Sequence, residues 1–72
     1  MTRDKLIRRL RRLARERGID FDVESARGKG GHWMVQYGPV RQAVPQAKGR
    51  DLPVGTLHGI LRGYGLTPRD LE

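Results

Sequence analysis

The stretch Arg11–Glu24, RRLARERGIDFDVE, changes its period at Gly18, and that change decides what kind of fold the chain can build. On the N-terminal side, Leu6, Leu10, Leu13 and Ala14 recur three and four apart with Ile7 on the flank, while Arg8, Arg9, Arg11, Arg12 and Arg15 fill the remaining arc. That spacing predicts an amphipathic helix, with Thr2 suited to its N-cap and Gly18 to its end. Beyond Gly18, Ile19, Phe21 and Val23 alternate with Asp20, Asp22 and Glu24, the period-two pattern of a half-buried strand.

Working outward, SARGKGG reads as a connecting loop, and a second alternation follows in which Trp33, Val35 and Tyr37 oppose His32, Met34 and Gln36. His32 is expected as the first residue of this strand, on the face opposite Trp33. Gly38 and Pro39 form a tight turn, and VRQAVP gives a third, shorter strand stopped by Pro45. The polar stretch QAKGRDLPVG leads to a helix start marked by Asp51 and Pro53, and Leu57, Ile60, Leu61 and Tyr64 form a helical stripe closed by Gly65. Gly55, Gly59 and Gly63 recur every four residues on that helix, a pattern expected to bring it close against the sheet. Thr67 can cap one further short turn. The predicted fold is a single α+β domain, residues 1–72, with order α-β-β-β-α and two helices on one face of a three-stranded antiparallel sheet. Double-stranded-RNA-binding domains share that order, although a fold by itself carries no function.

At 72 residues, 36% of them apolar, the chain has material for one thin core. It has no cysteine, which removes disulfide frameworks, thiolate metal sites and cysteine nucleophiles from consideration and fits a reducing, cytoplasmic setting. No stretch reads as a signal peptide or a membrane span, so a soluble protein is expected. Fifteen Lys and Arg against eight Asp and Glu leave a formal charge of +7, for which an RNA, a DNA, an anionic membrane or an acidic protein could each be the counterpart.

The chemistry concentrates in Arg27–Trp33, RGKGGHW. A glycine-rich turn lets backbone N–H groups converge on an anion, and Arg27 and Lys29 can hold a phosphate beside His32. Histidine exchanges protons near neutral pH, so one next to a bound phosphate is a candidate general acid or base. In RNA the natural reaction is attack of a 2′-OH on the adjacent phosphorus, which needs proton transfer and charge stabilisation and calls for no metal or cofactor. The Walker pattern is missing, since no Gly-x4-Gly-Lys-Ser/Thr occurs. A surface histidine after a turn is the plain alternative. Lys48 and Arg50 precede the second helix and can position phosphate or simply be solvated. Arg8 and Arg12 offer a further RNA track on the first helix, or a solvated face. Trp33 can stack on a base or pack in the core, and its strand phase favours the core. Asp22 or Glu24 can orient the His32 imidazole if the first hairpin pairs in register, and His58 reads as a helix-surface residue.

GKGGHW entering a strand, AVP ending the next, and DLPVGTLHGILRGYGLTPRDL after it together resemble the HicA family of bacterial toxins, mRNA interferases paired with HicB antitoxins. The resemblance covers about Arg27 to Leu71, with the closing helix matching at Gly55, Thr56, Leu57, Ile60, Leu61, Gly65 and Leu66. It implies a double-stranded-RNA-binding-domain-like fold and a metal-independent endoribonuclease in which His32 is catalytic. Gly28, Gly30 and Gly31 would present amides to the RNA phosphate, with Arg27, Lys29, Lys48, Arg50, Arg8 and Arg12 as its cations. The implied partners are mRNA and a HicB-type antitoxin covering His32 and the basic surface, with no membrane and no small-molecule cofactor. Family members commonly carry Gly-Ser-His where this chain has Gly30-Gly31-His32. Many also place a histidine after the Val-Pro, where this chain has Gln46, Ala47 and Lys48, so it offers one catalytic histidine. A non-catalytic RNA-binding module of the double-stranded-RNA-binding type is the alternative.

Overall fold

The computed structural model describes residues 1–25, 32–45 and 50–72. Its elements run α1 (Arg3–Arg17), β1 (Phe21–Glu24), β2 (Trp33–Tyr37), β3 (Val40–Val44), α2 (Val54–Gly63) and a 3-10 turn at Pro68–Leu71. The expected α-β-β-β-α order is therefore present, as an α+β fold.

α1 is fixed at both ends by the residues its sequence supplies. The Thr2 hydroxyl accepts from the Lys5 N–H at 3.2 Å, and Gly18 takes the left-handed conformation at φ 65° that a side chain would oppose. Ile19 then donates its N–H to Ala14 O at 2.8 Å, completing the helix end. This is why β1 opens at Phe21 and not at Ile19: the backbone of Ile19 serves the helix cap before the chain can enter the ladder. The period-two side-chain pattern nevertheless runs on, with Ile19, Phe21 and Val23 all partly buried against the core.

The sheet has strand order β1-β2-β3, both pairings antiparallel. Phe21 faces Tyr37 and Val23 faces Val35, while Trp33 faces Val44 and Tyr37 faces Val40. The last pairing is closed by a two-residue turn whose first residue, Gly38, has φ 60°. Because side chains alternate, this register gives one face Phe21, Val23, Trp33, Val35, Tyr37, Val40 and Val44, and the other Asp22, Glu24, Met34, Gln36, Arg41 and Ala43.

Both helices cover the first face. Leu6, Leu10, Ala14, Val35, Val44 and Leu61 are almost fully buried, with Ile60, Tyr64, Leu66 and Leu71 closing the rim. Each fully buried leucine contributes roughly 1.5–3 kcal/mol by its removal from water, so a handful of side chains carries most of the fold's driving force. α1 runs in the same direction as β2. Near its start the Arg3 guanidinium lies 4.0 Å from the Trp33 ring centroid, and farther along Arg11 lies 5.6 Å from that of Phe21, the residue paired with Tyr37 at the other end of β2. Among the described residues no helix is long and apolar enough to cross a membrane.

The glycine series of α2 behaves differently from the close packing its spacing suggests. A Cβ at Gly55 or Gly59 would meet nothing within 4 Å, and both residues are exposed. Only Gly63 is in close contact, where a Cβ would fall 2.7 Å from Gln42 Cδ. The four-residue repeat rotates about 40° per step against a helix of 3.6 residues per turn, so its members drift off a single face.

Candidate functional site

His32 is exposed and lies one residue before β2, so the strand begins at Trp33 and not, as its alternation suggests, at the histidine. Trp33 is half-buried and packs against the core with the Arg3 guanidinium over its ring. One face of the indole is thus already occupied by a cation, in agreement with its core-directed strand phase. Arg27, Gly28, Lys29, Gly30, Gly31 and Lys48 lie outside the described residues.

Arg50 is exposed, and its chain neighbours place it at the His32 end of the molecule. The Met1 ammonium group lies 3.2 Å from the Asp51 carboxylate, and the Leu52 N–H donates to Met1 O at 2.8 Å. The segment before α2 is thereby tied to the start of α1, where Arg3 reaches Trp33. His32, Arg3, Asp51 and Arg50 accordingly belong to one end of the fold, brought together from three separate parts of the sequence.

The open face of the sheet adjoins that end. Asp22 and Glu24 do share this face, since they pair with Gln36 and Met34, but Glu24 forms an ion pair with Arg41 across the central strand. Gln36 uses its amide locally, donating to Gly38 O at 3.1 Å. His58 is exposed on α2, as a helix-surface residue should be.

No family model, no curated protein and no solved structure matches this chain. The site has to be read from its own geometry.

Arg8 and Arg12 are both exposed, on the arc of α1 that faces away from the sheet. Arg9, of the same arginine arc, and Lys5, a cation that arc does not include, join Arg8 and Arg12 around one cleft. The signal was present as spacing, because positions 5, 8, 9 and 12 are i, i+3, i+4 and i+7 on a helix. Two α1 arginines also tie the helix to the C-terminal turn: Arg17, outside the cleft, donates to Asp70 at 2.9 Å, and Arg9, within it, donates to Leu71 O at 2.8 Å. Asp70 in turn accepts from the Thr67 N–H at 2.7 Å. That amide, followed by the Arg17 guanidinium, holds the Asp70 carboxyl below its ordinary range, while Asp70 raises Arg17.

Proposed function

We propose that this chain is the toxin of a HicA/HicB-type toxin–antitoxin pair, a metal-independent endoribonuclease that cuts mRNA with His32 as its single catalytic histidine. The observation that carries the reading is the position of His32. It is an exposed imidazole at the mouth of the central strand, directly after the glycine-rich, cationic RGKGG segment and at the end of the fold that also holds Arg50. The +7 charge and the family-like second half of the sequence support it.

In the proposed reaction His32 removes the proton of a ribose 2′-OH as the 2′-oxygen attacks the neighbouring phosphorus. The bond from O2′ to phosphorus forms, the bond to the 5′-oxygen breaks, and that oxygen takes up a proton from His32 or from water. The products are a 2′,3′-cyclic phosphate and a 5′-hydroxyl, with no electron gained or lost. Arg27, Lys29 and the amides of Gly28, Gly30 and Gly31 would hold the phosphate where its negative charge grows, with Lys48 and Arg50 on its flank. An acidic surface on a HicB-type antitoxin would complement the basic surface and cover His32 in the resting, cytoplasmic pair that the resemblance implies.

A second reading, an RNA-binding module without catalysis, is favoured by one observation: among the described residues no carboxylate is hydrogen-bonded to His32, and Glu24, on the same face, pairs with Arg41. The two readings part on cleavage of an end-labelled single-stranded RNA in EDTA by the wild type and by His32→Ala. We expect cutting by the wild type alone, with a loss in the variant of at least about 100-fold, the usual yield of a general acid or base. Intact RNA in both lanes with binding retained would leave the binding module.

A further inference from the structure

The cations of α1 divide by what they touch. Arg3 covers Trp33 and Arg17 holds Asp70, so both are committed to the fold. Lys5, Arg8 and Arg12 are exposed, and with Arg9 they line a cleft of about 300 Å³. Glu16 lies 3.8 Å from Arg12, but both side chains are more than 60% exposed and the pair is weak in salt. Among the described residues no carboxylate lines the cleft itself.

The chemistry of the lining selects among anions. A protein partner is held chiefly by aromatic or aliphatic anchors seated in a dry centre, with charges at the rim. Nothing of that kind is offered here: among the described residues the one large apolar side chain that is well exposed is Val54, at 67%, on the other helix. A phosphodiester backbone asks only for charge and N–H donors, and guanidinium groups match phosphate oxygens in pairs. Arg9 is already fixed by its bond to Leu71 O, so one donor fork is held in place before any ligand arrives. From Lys5 to Arg12 the helix rises about 10 Å, room for two or three phosphates of a stacked strand at roughly 3.4 Å per nucleotide.

We propose that the cleft formed by Lys5, Arg8, Arg9 and Arg12 is a second phosphodiester-binding site, which grips the backbone of an RNA strand away from the point of cutting. Since α1 runs alongside β2 from the Trp33 end, the Lys5 end of the cleft lies toward His32 and the Arg12 end away from it. The site supplies affinity and takes no part in proton transfer. That it serves a substrate rests on the endoribonuclease reading; that it binds RNA does not.

The experiment uses a 2′-O-methyl oligoribonucleotide, which cannot be cut, titrated against the full chain over a range of salt concentrations. Lys5→Gln/Arg8→Gln is compared with Arg41→Gln/Arg62→Gln, two exposed arginines on β3 and α2, so both variants lose the same net charge. We expect the first pair to reduce the slope of log K against log salt by about 1.4, two phosphate contacts at about 0.7 each for a single strand, and to weaken binding about tenfold or more at 0.1 M salt. The control pair should leave the slope at its wild-type value. Equal losses in the two variants would mean that net charge alone acts and would overturn the site. So would an unchanged slope, or a polyglutamate peptide that binds as tightly as the oligonucleotide with the same dependence on Lys5 and Arg8. A cleft-dependent slope in a protein that leaves ordinary RNA intact would uphold the cleft and remove the nuclease.

Discussion

The two helices cover the same face of the sheet by different means. α1 docks through an uninterrupted stripe, Leu6, Ile7, Leu10, Leu13 and Ala14, every member of it buried. α2 buries Ile60 and Leu61, adds Tyr64 from its cap, and supplements this narrower contact with polar bonds to the strands. Gln42 Nε2 donates to Ile60 O at 2.8 Å, and the Tyr64 hydroxyl donates to Val35 O at 2.6 Å. Each helix also carries a regular series that splits on contact: the cations of α1 into anchors and a cleft that share Arg9, the glycines of α2 into one confined residue and two open ones. A repeated residue type marks a face of a helix, and what touches that face sets the role.

The difference in docking is sharpest at Tyr64. Its hydroxyl is buried, and burial pushes its ionisation up to about 12. Tyr64→Phe should cost about 1–2 kcal/mol at neutral pH, since Val35 O loses a partner inside the fold. Unfolded tyrosine ionises at about pH 10, so the folded chain keeps a proton that the unfolded chain releases. This contribution is complete below about pH 10 and is lost as pH rises through 12. Chemical denaturation of both proteins across that window should show the wild type losing its advantage over Tyr64→Phe. A neutral-pH difference within error would mean that the Tyr64 hydroxyl adds nothing to the apolar docking of α2.

The glycines give a smaller and signed effect. Gly59→Ala enters open space on the helix surface and should stabilise by about 0.5–1 kcal/mol through helix propensity. Gly63→Ala meets the Gln42 side chain, which must swing away and release Ile60 O. The lost hydrogen bond, about 1 kcal/mol, offsets the propensity gain, so no stabilisation is expected there. Denaturation midpoints that rise equally for both variants would erase the distinction between open and confined glycines.

Most of the architecture was legible in the sequence because it is written in periods. The stripe of α1, the alternations from Phe21 and Trp33, the turn at Gly38 and the cap at Thr67 each follow from local spacing. What spacing could not give is which long side chains cross between elements. Arg9 to Leu71 O, Arg17 to Asp70, Arg41 to Glu24 and Tyr64 to Val35 O join residues far apart in the chain. Arginine has reach enough to take any of several partners, so its role is decided by tertiary placement. The same limit applies at the site. His32 and the exposed arc carrying Arg8 and Arg12 were readable locally, whereas the nearness of Arg50 to the His32 end depends on Met1, Asp51 and Leu52.

The smallest effect concerns the latch between α1 and the 3-10 turn, where Asp70 meets Thr67 and Arg17. Its carboxyl is held below the ordinary value of 3.8, so the folded state favours the ionised form. The stabilisation is therefore present above that value and is lost as pH falls through the lower folded one. Asp70→Asn should denature more readily than the wild type at neutral pH, and the gap should close on acidification, because the wild-type carboxyl then takes up its proton and loses its charge. Asparagine can still accept from the Thr67 N–H, so it preserves the cap geometry while removing the charge. Arg17→Gln tests the other half. If the Thr67 amide is the larger cause, as the short bond to it suggests, Arg17→Gln should shift the acid profile less than Asp70→Asn, and the two changes should not add. A gap that stays constant down to the acid limit would show the latch to be held by shape and not by charge.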